Sequence, residues 1–458
     1  MGKLFGTDGA RGVAVTELTC EIAMQIGRAA AMVLAKESGH TELNFLIGKD
    51  TRVSCDILEA ALAAGIASVG GNCILAGIIP TPAVSFLTNS RGYTAGIMIS
   101  ASHNSFEYNG IKLFASTGFK LPDETEEEIE DLINNSPERI NASLKSAEKV
   151  GKIVHDRTAA AEYVKHIIDC VSGLKLSNTR IAIDCANGAS YITAEKIFAA
   201  FDAKVFLINA APNGVNINKK CGSTDMNTLI SFVKDKKCDI GLAFDGDADR
   251  CLAVDETGAI IDGDRLIAIF ARDMKEKETL AKSTAVVTVM TNLGFLEYAE
   301  KNGVNVLSTK VGDRYILEQM IDKGYNLGGE QSGHIIFRDH ATTGDGELTA
   351  VKLLEVMKGT GKPLSELASV MTVYPQVMLN VTIPQEFKER WKNEEEISAL
   401  IDAAKNELGE TGRILVRESG TEPLIRVMAE GKDFKQINRL AGEIAVKIGE
   451  RIKSDRKS

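Results

Sequence analysis

Three times along the chain the same order of segments recurs: an apolar strand ending in a polar loop, a helical stretch, a second loop of signature composition, and a hairpin-like piece with a glycine turn. The strands are Asn44–Gly48, Arg180–Ile183 and Ala285–Val289. They end in Lys49-Asp50-Thr51-Arg52, Asp184-Cys185-Ala186-Asn187-Gly188 and Met290-Thr291-Asn292. The second loops are Ser100–Asn104, Asp245–Arg250 and Glu330–His334, and the hairpins are expected over Ile111–Leu121, Cys251–Ile261 and Ile335–Gly346. Such a repeat predicts three related α/β domains rather than one long sheet, with the loops at strand ends, where open α/β sheets place ligands. From Met371 the pattern changes. Val377–Ile383 alternates like a strand, a charged helix follows around Lys388–Leu408, and Gly412–Val416 leads into another loop. A smaller α+β domain is expected there, giving domains at 1–150, 151–256, 257–370 and 371–458.

With 458 residues, 44% apolar and 25% charged, the chain can bury several cores and needs no metal or disulfide to fold. Against 63 acidic residues it has 53 Lys and Arg, a net charge of −10. This balance argues against a general nucleic-acid surface. A protein so acidic that binds phosphate must gather its basic residues in one place. The eight cysteines are scattered without a Cys-x-x-Cys pair and read as reduced, buried thiols. The first residues lack a hydrophobic signal core, and Gly6 breaks a myristoylation pattern. The uncharged stretch Ala60–Leu87 is interrupted by Gly70-Gly71-Asn72, Pro80 and Pro82. It reads as a buried helix, a turn and a buried strand rather than a membrane span. A cytoplasmic protein is expected. Thr16 is placed as the cap of a helix with Ile22, Ile26, Ala30 and Val33 on its apolar face, ending at Gly39. The acidic run Asp123–Asp131 after Pro122 reads as the solvated start of another helix.

Asp245-Gly246-Asp247-Ala248-Asp249-Arg250 is the sharpest local signal. Three carboxylates at alternate positions, separated by the two smallest residues, can converge on one hard cation such as Mg²⁺. An EF-hand would need Gly where Arg250 stands, and Cys251–Val254 reads as strand, so the loop ends too early. Ser102 lies just beyond the apolar run Gly96–Ile99, with His103 beside it. Alone, a Ser-His pair in a loop is turn chemistry. Paired with a cation loop, it is what phosphoryl transfer through a phosphoserine needs. Arg417-Glu418-Ser419-Gly420-Thr421-Glu422-Pro423, with Arg426 beyond, offers donors for a phosphate dianion, or else a plain turn closed by Pro423. Glu330-Gln331-Ser332-Gly333-His334 offers a carboxylate, a hydroxyl and an imidazole to sugar hydroxyls, or else a surface turn. Arg11, Arg52, Lys112, Lys310 and Arg314 stand in further polar loops and answer the requirement for gathered basic groups.

Phe5-Gly6-Thr7-Asp8-Gly9-Ala10-Arg11-Gly12, Ser100–Asn104, Asp245–Arg250, Glu330–His334 and Arg417–Pro423, in that order, resemble the α-D-phosphohexomutases over essentially the whole chain. The resemblance implies four domains around a central cleft, each contributing a loop. It implies Ser102 as the phosphoserine, with His103 beside it, and Asp245, Asp247 and Asp249 as Mg²⁺ ligands together with an oxygen of the phosphorylated Ser102. Arg250, Glu330, Ser332 and His334 would face the sugar, and Arg417, Ser419, Gly420, Thr421 and Arg426 would hold the distal phosphate. The proton on the attacking hydroxyl is given to Lys310, with Arg11, Lys112 and His334 as alternatives. One Mg²⁺ per chain and a glucosamine or glucose 1,6-bisphosphate intermediate are implied. Gln331 and Gly420 resemble the branch acting on glucosamine phosphate, which feeds UDP-N-acetylglucosamine and cell-wall synthesis; the branch acting on glucose or mannose phosphate is the alternative. The partner is a small phosphosugar, without nucleic acid or membrane. The oligomeric state stays open, a homodimer included. One departure stands out: Ser105 follows the Ser-His-Asn triplet where relatives usually carry Pro, which loosens the loop.

Overall fold

The computed structural model describes residues 4–6, 8–38, 42–384, 387, 391–418 and 423–455. They build four sheets, three in α/β arrangements and a smaller antiparallel one. The chain divides into two compact units, Met1–Met290 with Asn302–Val370, and Thr291–Lys301 with Met371–Ser458. The first unit holds the first three sheets and the second holds the fourth.

The first three sheets share one device. A strand buried along its length runs into a signature loop, and the chain returns antiparallel to that strand. Ala95–Ile99, with every residue buried, passes through the Ser102 loop into Tyr108–Ala115, pairing Ile99 with Ile111. Ile240–Phe244, equally buried, passes through the triple-Asp loop into Cys251–Asp255, pairing Phe244 with Cys251. Leu327–Gly329 passes through the Glu330 loop into Ile335–Phe337, pairing Gly329 with Ile335. Because successive side chains alternate faces and these strands are packed on both, their register is strongly specified, and the loops emerge at fixed points. Parallel neighbours complete each sheet. Asn44–Lys49 lies beside Ala95–Ile99, Arg180–Asp184 beside Ile240–Phe244, and Thr284–Thr288 beside Leu327–Gly329.

Several expectations needed correction. The polar segment from Phe5 to Gly12 is a tight strand pair, Phe5–Gly6 with Gly9–Val13, since Phe5 and Ala10 are buried and the second strand joins Tyr108–Ala115. The helix after it is capped by Thr19, whose Oγ1 accepts from the Ile22 N–H at 3.2 Å, and not by Thr16; it spans Cys20–Ser38, and Gly39 lies outside the described residues. The interrupting Pro80 and Pro82 follow the expected buried helix, Cys55–Ser68, and strand, Asn72–Ile78, and open a further helix, Thr81–Ser90, because proline fits a first turn whose N–H groups lack intrahelical partners. No hairpin covers Ile335–Gly346. The strand stops at Phe337, and Asp345 accepts the Leu348 N–H at 2.9 Å to start the helix Gly346–Thr360. The acidic run after Pro122 does begin a helix, Asp123–Asn135.

In the second unit, Gln376–Thr382 and Gly412–Glu418 flank Leu424–Gly431 in an antiparallel sheet. Ile425, Val427 and Ala429 pack against Ile437, Ile444 and Ile448 of the helix Phe434–Asp455. The charged helix expected around Lys388 is described as Glu395–Leu408 after a short turn at Trp391–Asn393; Lys388 lies outside the described residues. All eight cysteines are free, six of them buried. Among the described residues no helix is long and apolar enough to cross a membrane.

Candidate active site

The ends of the buried strands bring Ser102 to the triple-Asp loop. Ser102 is buried, and its Oγ donates to Asp245 Oδ2 at 2.7 Å and lies 3.4 Å from His103 Nδ1. The two loops touch backbone to backbone: a Cβ on Gly246 would lie 2.6 Å from the Ser102 carbonyl oxygen, so only glycine allows this approach. Ser102 (φ 52) and Ala248 (φ 57) both hold left-handed conformations, a local strain of the kind that collects at functional sites.

Asp245, Asp247 and Asp249 are buried and offer carboxylate oxygens within 4.8 Å of one another. Asp247 is gripped by the helix Thr81–Ser90 and the strand Tyr108–Ala115, accepting from Thr81 Oγ1 at 2.6 Å and Lys112 Nζ at 2.8 Å on the same Oδ2. Its Oδ1, and Oδ1 of Asp249, are buried without a hydrogen-bond partner. Two anionic oxygens without hydrogen-bond partners in a cluster of three acids fit a hard divalent cation held by oxygen ligands, such as Mg²⁺. Burial and the neighbouring Asp249 and Asp247 push the Asp245 carboxyl up. For Asp249, burial opposes ionisation, but Lys112, His334 and Arg250 outweigh it and hold the group well below the usual range. Arg250 lies across the cluster, its Nε 3.7 Å from Asp249 Oδ1 and 3.9 Å from Asp245 Oδ2.

Around the acids runs a network of alternating charge. Lys112 also approaches Asp8 at 3.3 Å, and Asp8 pairs with Arg11 and with Lys120 at 2.6 Å. Lys120 reaches Asp313 at 2.6 Å, Asp313 lies 3.4 Å from His334 Nε2, and His334 Nδ1 lies 3.6 Å from Asp249. Burial works against charge on Lys112, Lys120 and His334, yet the facing carboxylates more than offset it and hold all three pKa values up. His103 goes the other way: burial, then Arg250 and Arg11, push it down to about 4, leaving it a neutral ring beside the serine. Perturbed groups gathered in this fashion are typical of catalytic sites.

The Glu330 loop closes the same site from the third sheet. Glu330 Oε1 accepts the Gly312 N–H at 3.1 Å, Ser332 Oγ is buried without a partner, and the Gly333 carbonyl accepts the Cys251 N–H at 3.0 Å. Lys310 stands apart from this cluster, exposed, its Nζ 5.9 Å above the Tyr315 ring. In the second unit Arg417 and Arg426 are register partners on adjacent strands. Ser419, Gly420 and Thr421 lie outside the described residues.

Asp8, Thr81, Lys120 and Asp313 were not singled out from the sequence. Asp8 could have been, standing in the same glycine-rich segment as Arg11. The others sit in segments whose composition signals only a turn or a helix start.

Family models match consecutive parts of the chain: phosphoglucomutase/phosphomannomutase alpha/beta/alpha domain I at residues 2–139, domain II at 161–258, domain III at 262–374 and the C-terminal domain at 378–447. A phosphoglucosamine mutase of Acetivibrio thermocellus is 50% identical over 452 residues, 99% of this chain and 100% of the relative. A phosphoglucomutase/phosphomannomutase family protein of Burkholderia thailandensis superposes with TM-score 0.80 at 22% identity, covering 98% of both chains. The N-acetylphosphoglucosamine mutase of Aspergillus fumigatus, solved with GlcNAc-6P and magnesium, superposes with TM-score 0.69 at 18% identity over 96% of this chain and 94% of its own.

Proposed function

Because the chain belongs to the phosphoglucomutase/phosphomannomutase family, we propose that it interconverts glucosamine 6-phosphate and glucosamine 1-phosphate through a phosphorylated Ser102. The observation that carries the reading is the contact of a buried serine hydroxyl, 2.7 Å from Asp245, with three acids that share a cation-sized space. The choice of sugar rests on the 50% identity, across nearly the whole chain, to the phosphoglucosamine mutase of Acetivibrio thermocellus.

In the first half-reaction O1 of glucosamine 6-phosphate attacks the phosphorus on Ser102. The bond from phosphorus to Ser102 Oγ breaks, a bond to O1 forms, Oγ takes up a proton as O1 gives one up, and a 1,6-bisphosphate results. The sugar then reverses, the 6-phosphoryl group returns to Oγ, O6 regains a proton, and glucosamine 1-phosphate leaves. One Mg²⁺ per chain, held by Asp245, Asp247 and Asp249, supplies charge neutralisation for the moving phosphoryl group. The protein supplies position. Lys112 orients Asp247, Arg250 lies beside Asp245 and Asp249, and His103, kept neutral, adds no charge to the serine. Glu330, Ser332 and His334 grip sugar hydroxyls in either orientation, and Arg417 and Arg426 with Ser419, Gly420 and Thr421 bind the phosphate that does not react. The proton of the attacking hydroxyl is assigned to Lys310. Arg11, Lys112 and His334, the alternatives, are each tied to carboxylates, whereas Lys310 has no carboxylate partner among the described residues. The product would supply UDP-N-acetylglucosamine synthesis in the cytoplasm.

The test is kcat/KM for glucosamine, glucose and mannose 6-phosphates, measured side by side. Glucosamine 6-phosphate is expected to be the best of the three. A clear preference for glucose or mannose would overturn the substrate, and inorganic phosphate in place of isomer would overturn the mutase reading.

A further inference from the structure

Against the backbone of the Ser102 loop lies a buried guanidinium, that of Arg52. Arg52 follows the strand Asn44–Lys49, and its side chain is entirely buried. Nη2 donates to the carbonyls of Ser102 and Asn104, both at 2.9 Å. Nη1 donates to the carbonyls of Tyr108, at 3.0 Å, and Ser105. Nε is taken by Asp50 Oδ2 at 2.8 Å, so the fork cannot rotate away from these acceptors. Asp50 also accepts from Ser100 Oγ at 2.7 Å, and Ser100 Oγ accepts the Ser102 N–H at 2.9 Å. From the second sheet's side, Asn218 Nδ2 donates to the same carbonyls of Ser102 and Asn104, at 2.8 and 3.0 Å.

We infer that Arg52 is a positioning residue for the phosphoryl-transfer step: it draws four carbonyls of the loop from 102 to 108 onto one planar fork and thereby fixes the Ser102 side chain on the Asp245 side. The fixing is needed. Ser102 holds φ 52, a left-handed conformation that is strained for a residue with a side chain. A loop with a serine at 105 has no ring to restrain it there. The arrangement also exceeds what an ion pair requires, since Asp50 alone would satisfy the charge. The four carbonyl contacts need a rigid planar array of donors, which arginine has and lysine, with one nitrogen, lacks. Arg52 contacts only Asp50 and backbone carbonyls in these bonds, not the Ser102 hydroxyl, and acts through the loop.

The inference rests on the reading of Ser102 as the phosphoryl carrier, and the test separates the two. Full-length Arg52→Lys and Ser100→Ala are compared with the unaltered protein by steady-state kinetics and by amide hydrogen exchange of a peptide spanning 102–108. In Arg52→Lys, kcat is expected to fall at least about tenfold with KM changed less than about threefold, because geometry in the transition state is lost rather than substrate binding. Exchange in 102–108 is expected to quicken by about tenfold or more, with the rest of the first sheet protected as before. Ser100→Ala should move both readouts in the same direction by less, and it decides the matter if Arg52→Lys does not fold. Unchanged exchange in the deciding variant would overturn the inference whatever happens to kcat, and so would faster exchange with an unchanged kcat. If the unaltered protein shows no mutase turnover, it is the reading of Ser102 that fails, and the exchange result alone then decides whether Arg52 orders the loop.

Discussion

At the scale of the residue, chemistry and stability are carried by different buried groups. Ser102→Ala should abolish turnover, because no other hydroxyl among the described residues hydrogen-bonds to Asp245, while circular dichroism stays that of the unaltered protein. Retained mutase activity would refute the covalent route. Glu126, on the helix Asp123–Asn135, makes the complementary case. Burial, with Asp123 and Asp8 adding to it and Arg314 and Lys120 opposing, pushes its carboxyl up from 4.5 to about 7. The folded state therefore binds this proton more tightly than the unfolded chain does. Burying this carboxyl costs no stability below about pH 4.5; the cost grows as pH rises to about 7 and is constant above. Glu126→Gln should match the unaltered protein in denaturant stability at pH 4 and exceed it at pH 8 by about 1–3 kcal/mol. A difference independent of pH would show that the carboxyl is not held protonated.

At the scale of the element, the first domain turns on two helices packed backbone to backbone. A Cβ on Gly65 would lie 2.3 Å from the Met24 carbonyl oxygen, and one on Gly27 would lie 2.5 Å from that of Leu62. The helices Cys20–Ser38 and Cys55–Ser68 meet at these two points. Gly65→Val should force them apart and cost about 1–3 kcal/mol in a urea titration. An unchanged midpoint would mean that the contact yields freely. The sequence marks Ala60–Leu87 as apolar and uncharged, which is enough to predict burial. It does not reveal which glycine is a contact, nor that Pro80 and Pro82 open a helix, because those outcomes depend on what the segment packs against. The strands Ala95–Ile99, Arg180–Asp184 and Thr284–Thr288 were legible to within a residue or two, since continuous apolar runs bounded by turn residues have few alternatives. The supposed hairpin after His334 was not, because one helix cap at Asp345 redirects the chain.

At the scale of the whole molecule, the threefold order of strand, loop and returning strand was readable because each unit is local. The three Asp residues were readable too, lying within five positions of one another. What holds them was not. Lys120 meets Asp8 across 112 positions and Asp313 across 193, and Thr81 meets Asp247 across 166. Only the folded first unit brings these partners together. That unit concentrates three buried acids, two of them with an oxygen that has no hydrogen-bond partner, so a bound cation should stabilise it by mass action. Chelation with EDTA should therefore lower the unfolding midpoint and stop turnover, and added Mg²⁺ should restore both. An unchanged midpoint, with turnover lost, would place the essential cation elsewhere.

The most direct measurement follows a labelled phosphoryl group. Protein carrying ³²P on Ser102 is mixed with unlabelled glucosamine 6-phosphate, quenched at intervals, and separated into protein, bisphosphate and monophosphate. The label should leave the serine, pass through the 1,6-bisphosphate and appear in the sugar monophosphates as turnover proceeds. Label that stays on Ser102 while glucosamine 1-phosphate accumulates would contradict the account.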